Sequence, residues 1–84
     1  MKLFKIYQDI NTDYDTFDSA VVVANSAEEA QNIHPSGGSG DFDMYVNWVS
    51  HPDLVELIYL GEVVGELDED IYPGAIICSS RRSR

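Results

Sequence analysis

Oxygen donors at alternate positions are the first hint of chemistry. Asp9, Asn11, Asp13 and Asp15 stand two residues apart in a stretch that holds no base. A calcium loop uses that spacing, because hard cations take carboxylate and carbonyl oxygens. Such a loop also needs glycine at its sixth position and glutamate at its twelfth, where this chain has Tyr14 and Ala20. The residues therefore read as a polar loop held by side-chain-to-backbone hydrogen bonds. His34, His51 and Cys78 fit no zinc spacing and no nucleophile elbow. Cys78 sits in the apolar run Ala75–Cys78 and is expected to be buried and inert. Gly37, Gly38 and Gly40 follow a predicted helix, whereas a phosphate loop precedes one and offers its positive end. No catalytic residue, no cofactor and no metal is expected.

Charge is the stronger signal. Residues 6–80 contain no Lys or Arg, yet hold all 15 carboxylates. The five bases, Lys2, Lys5, Arg81, Arg82 and Arg84, lie at the two ends, so the formal charge of −10 understates the body. Self-repulsion on that scale destabilises a compact chain. Its use would be to meet a strongly basic surface. Two groups stand out: Asp9, Asp13, Asp15 and Asp18, and Glu62, Glu66, Asp68, Glu69 and Asp70. If the two were neighbours they would imitate a short stretch of DNA, which carries one charge per about 1.7 Å of axis. Arginines could then grip them in bidentate fashion, as they grip phosphates. Trp48, Tyr45 or Tyr59 would supply an aromatic anchor. The bland alternative is a solubilising surface. Direct nucleic-acid binding is disfavoured, since three tail arginines cannot offset such a body.

These residues must be held by a small scaffold. Eighty-four residues make one domain, expected over 1–80, with 81–84 as a disordered basic tail. Strands are predicted at Leu3–Gln8, Phe17–Ala24, Leu54–Leu60 and Ala75–Ser80. Ser26-Ala-Glu-Glu29 forms a capping box, which predicts a helix to about His34, where Pro35 stops it. Ala27, Ala30 and Ile33 would face the sheet, and His34 would cap the helix end. Asp41–Ser50 fits either a strand or an apolar flap. The order β-β-α-β-β predicts an α+β fold: an antiparallel sheet of about four strands with one α-helix on one face. Alternation in the first and third strands leaves the second face apolar too, and a homodimer through that face is the alternative use of the molecule. No apolar run reaches the roughly 20 residues a membrane helix needs, and no secretory signal is visible, so a cytoplasmic location is expected.

The run Gln8–Ala24, with Glu28-Glu29-Ala30, Ile33–Ser36, Tyr59–Glu62 and Gly74–Ser80, resembles a family of small, uncharacterised bacteriophage and prophage proteins. These segments cover roughly half the chain and carry no chemistry of their own. In size and charge the chain is also similar to anti-CRISPR proteins that imitate DNA. That resemblance implies a non-enzymatic, phage-encoded inhibitor acting in the host bacterial cytoplasm. Its partner would be the basic, nucleic-acid-binding surface of a CRISPR-Cas effector complex.

Overall fold

A computed structural model of the chain describes residues 1–10, 12, 16–36, 48–49, 51–63 and 71–81. Four strands and one short helix are seen: β1 (Lys2–Tyr7), β2 (Phe17–Ala24), α1 (Ala27–Gln31), β3 (Glu56–Glu62) and β4 (Ile76–Arg81). The strands form one antiparallel sheet in the order β3-β1-β2-β4. The predicted α+β architecture is the observed one.

The pleat sorts the side chains. Phe4 and Ile6 of β1, with Ala20, Val22 and Ala24 of β2, are buried on one face. They join Ala30, Ile33, Trp48, Val49 and Val55 in a single cluster, flanked by Leu57 and Ile76. The helix packs on this face against β1, β2 and β3. On the outer face Lys5 is flanked by Ile58 and Val21, and Val21 by Cys78. Ile58 is 47% exposed there.

Irregularities in the ladder have local causes. The β1–β3 register slips by one residue between Leu3 and Phe4, whose partners are Gly61 and Tyr59, so Leu60 is the extra residue. Gly61 takes φ +150° at this bulge, a conformation L side chains rarely adopt. Pro73-Gly74 makes the turn into β4: the Ala75 amide donates to the Tyr72 carbonyl at 2.9 Å, and Gly74 has φ +98°. Proline followed by a positive-φ glycine is type II turn chemistry.

The helix is shorter than its sequence implies. Ser26 Oγ accepts the Glu29 amide at 3.1 Å, as the capping box requires. Glu29 reaches back to the amide of Asn25, at 3.4 Å, one residue earlier than expected. The helix ends at Gln31 because Asn32 caps it, its side-chain amide donating to the Glu28 carbonyl at 2.8 Å. Ala27 is exposed, so only Ala30 and Ile33 of the predicted stripe reach the core. Ser26→Ala is expected to destabilise the domain by about 1 kcal/mol, read from a denaturant midpoint.

Other expectations are corrected. Cys78 is exposed, because β4 lies at the sheet's edge. Arg81 closes β4 and stacks over the Phe17 ring at 4.5 Å, so it belongs to the sheet and not to the tail. Arg82 to Arg84, and Asp41 to Asn47 of the ambiguous segment, lie outside the described residues.

His34 does not serve as a helix cap. Its ring lies 6.2 Å from Phe17 and 6.4 Å from Trp48, edge-on to both. Nδ1 accepts the Ser36 amide at 3.0 Å, and Ser36 Oγ lies 2.7 Å away. An acceptor Nδ1 requires the neutral ring. Burial accordingly holds the imidazole below its usual value near 6.5. The unfolded chain therefore binds a proton before the folded one does. Stability from this site is complete above pH 6.5 and is lost as pH falls through the lowered value. Urea midpoints should decline over that window in the wild type and decline less in His34→Gln.

Candidate docking surface

The acidic residues can be placed by the ends of the strands that carry them. β1 runs from Lys2 at one end of the sheet to Tyr7 at the other, and its antiparallel neighbours run back. Tyr7 pairs with Ser19 and Glu56, so Asp9, Asp18 and Glu56 share the Tyr7 end. Lys2 pairs with Ala24 and Glu62, so Glu62 belongs to the opposite end. The described members of the two predicted groups, Asp9 and Asp18 in the one and Glu62 in the other, therefore belong to opposite ends of the sheet, about 17 Å apart at 3.3 Å per residue. Their neighbourhood, which imitation of DNA by both loops together required, is not provided by the sheet. Asp13, Asp15, Glu66, Asp68, Glu69 and Asp70 lie outside the described residues.

The base of the first loop is well fixed. Gln8 is buried and donates from Nε2 to the Phe17 carbonyl at 2.8 Å, while its Oε1 accepts the Ile10 amide at 2.9 Å. The Gln8 amide also donates to the Asp18 carbonyl at 3.1 Å. This clamp holds Asp9 in solvent at a defined place.

What the structure does bring together is a corner that sequence reasoning missed. Asp53, in the short helical turn Pro52–Leu54, precedes β3 on the same end as Glu56. Asp9 leaves β1 two residues past Tyr7, the ladder partner of Glu56. All three are exposed. Two of them escaped notice because neither Asp53 nor Glu56 belongs to an acidic run. The signal was alternation: Glu56 is the polar member among Val55, Leu57 and Ile58 at an edge strand's start.

Further along β3, Tyr59 and Glu62 project from the face of their ladder partners Phe4 and Lys2, opposite to Glu56, the partner of Tyr7. Tyr59 is half exposed, packs edge-on against Phe4 with ring centres 5.7 Å apart, and donates its hydroxyl to Glu62 Oε1 at 3.0 Å. That bond, with the nearby negative charge, holds the phenol above its ordinary value and keeps it protonated. Glu62 itself stands across the ladder from Lys2, which partly offsets it. At the corner Glu56 stands across from Tyr7, and the Lys5 ammonium lies 5.9 Å from the centre of the Tyr7 ring, so a base is near this end too. Opposite, β4 carries no carboxylate and ends in Arg81. Among the described residues β3 and the turn before it carry Asp53, Glu56 and Glu62, while Asp18 lies on β2 and Glu28 and Glu29 on the helix.

Trp48 does not belong to this surface. It is 2% exposed, beside His34 in the core, so it cannot be an anchor for a partner. Tyr59 is the aromatic residue that lies on the acidic edge.

No family model, no curated protein and no solved structure matches this chain. Among the described residues no helix is long and apolar enough to cross a membrane.

Proposed function

We propose that the chain is a non-enzymatic, phage-encoded inhibitor that docks its acidic β3 edge on the basic, nucleic-acid-binding surface of a bacterial CRISPR-Cas effector complex. The observation that carries this reading is the absence of Lys and Arg from residue 6 to residue 80. A solubilising surface has no need to exclude bases so completely. Six residue steps separate Glu56 from Glu62, on the order of 20 Å along an extended strand. Duplex DNA presents about a dozen charges over such a length. RNA-guided effectors hold nucleic acid in positively charged channels, which an anionic edge of this reach fits. Tyr59 would enter the interface as its rigid aromatic, with the carboxylates around it pairing with arginine. Attraction between such surfaces speeds encounter and weakens with salt.

The test is capture on immobilised effector complexes, prepared with and without guide and target. Retention by the target-free complex and loss on the target-bound one supports the reading. Equal retention on both, or none on either, refutes it.

A further inference from the structure

The corner that carries Asp9, Asp53 and Glu56 is not acidic alone. Each aspartate is followed by a large aliphatic residue in solvent: Ile10 after Asp9, 62% exposed, and Leu54 after Asp53, 39% exposed. Ile10 is the most exposed large hydrophobic residue among those described. Single exposed apolar side chains are ordinary on a protein surface. These two are set apart by how they are held. The Ile10 amide donates to Gln8 Oε1 at 2.9 Å, and Gln8 is itself buried and tied to the Phe17 carbonyl at 2.8 Å. Leu54 closes the turn Pro52–Leu54, its amide donating to the His51 carbonyl at 3.1 Å and the next amide, of Val55, to the Pro52 carbonyl at 3.0 Å. Both backbones are fixed before any partner arrives, which lowers the ordering cost of binding. Both also flank the last pair of the β1–β3 ladder, Ile10 beyond Tyr7 and Leu54 before Glu56.

We infer that this corner is a mixed recognition surface whose partner is a basic protein segment presenting an apolar side chain between arginines or lysines. Ile10 and Leu54 take the apolar side chain, and Asp9, Asp53 and Glu56 pair with the bases around it. Charge selects this occupant. The carboxylates repel the phosphates of nucleic acid and the anionic head groups of a membrane, two other ligands that an exposed apolar residue could meet. A second copy would bring the same three carboxylates against their own kind, because a two-fold contact sets a patch against itself. Lys5 lies near this end, yet the three carboxylates outnumber it. A basic segment satisfies both halves of the surface at once. Exposed ion pairs contribute little each. An apolar contact among them removes further area from water and shuts out solvent that would screen the charges. The inference rests on the docking proposed above for the choice of corner, and adds an attraction that salt does not remove.

Two peptides test this on the full chain: an arginine-rich peptide with leucines at its centre, and one of equal length and charge with serine in place of each leucine. Calorimetric titration at low and high NaCl should show the leucine peptide binding about tenfold tighter, with that ratio kept at high salt while both affinities fall. Ile10→Ser combined with Leu54→Ser should bring the ratio close to one and leave binding of the serine peptide unchanged. Ile58→Ser, on the outer face of the sheet, should leave the ratio as it was. Should the double variant lose its far-UV spectrum, Ile10→Ser is read alone. Equal binding of the two peptides, or binding of neither, overturns the proposal. So does a leucine preference that survives the double variant. A concentration-dependent dimer in sedimentation that Ile10→Ser abolishes also overturns it, since the occupant would then be a second copy. No effector complex enters these titrations, so their failure is distinct from a failure of capture on one.

Discussion

Replacing Trp48 by alanine is expected to unfold most of the domain at room temperature. Trp48 is among the largest fully buried side chains, and it lies in the one cluster that ties the helix and both central strands together. Truncating a buried tryptophan costs roughly 3–5 kcal/mol. Domains are stable by roughly 0.05–0.15 kcal/mol per residue, so a chain of 84 residues has roughly 4–13 kcal/mol in all. Self-repulsion in the acidic body places this one toward the lower part of that range. Trp48→Phe keeps most of the volume and should cost about a third as much. Urea melts of the three proteins, followed by far-UV circular dichroism, check this. A Trp48→Ala protein that melts within 1 M urea of the wild type would mean that the residue is not a core element. It would also reopen its role as a surface anchor.

The second large effect is on binding. Neutralising the corner as Asp9→Asn, Asp53→Asn and Glu56→Gln should weaken docking on a basic effector surface by roughly 2–4 kcal/mol, about thirty- to a thousandfold in Kd. Individual exposed ion pairs contribute less than about 1 kcal/mol, so the triple change is the informative one. All three side chains are exposed, and the fold should be unchanged or slightly more stable, as repulsion is relieved. Tyr59→Ala should add a loss of its own, because the half-exposed ring stands on the same edge strand and bonds Glu62. Ser80→Gln, on the opposite edge, should have no effect. Calorimetric titration at two salt concentrations measures these changes. The loss should be largest at low salt.

Much of the scaffold was legible because its determinants are local. Alternating apolar residues in Leu3–Tyr7, the Val21–Val23 run, the Ser26 cap and the Pro73-Gly74 turn each specify their own element. Boundaries moved where a side chain outside the hydrophobic pattern intervened. Asn32 ended the helix early, and Pro52 put Leu54 into a helical turn so that β3 began two residues later. Burial at the edges was not legible. The run Ala75–Cys78 looks like a core strand, yet pairing on one side only leaves Ile77 and Cys78 in solvent. Trp48 looked like a free aromatic because its alternating segment fits a strand or an apolar flap equally well; in the structure it packs beside His34 in the core. The acidic site was legible in sum and not in place. Runs of Asp and Glu drew attention to two connections, whereas proximity is decided by which strand ends share a side of the sheet. That depends on pairing order, which no short window of sequence contains.

The central claim is that the acidic β3 edge occupies a site meant for nucleic acid. Displacement of a fluorescent target duplex from a guide-loaded effector complex tests it most directly. The wild-type chain should displace the duplex in a dose-dependent manner that fades as salt rises, and the Asp9→Asn/Asp53→Asn/Glu56→Gln variant should need a far higher dose. Displacement that is the same for both proteins, or a duplex that stays bound at saturating wild-type protein, would contradict it.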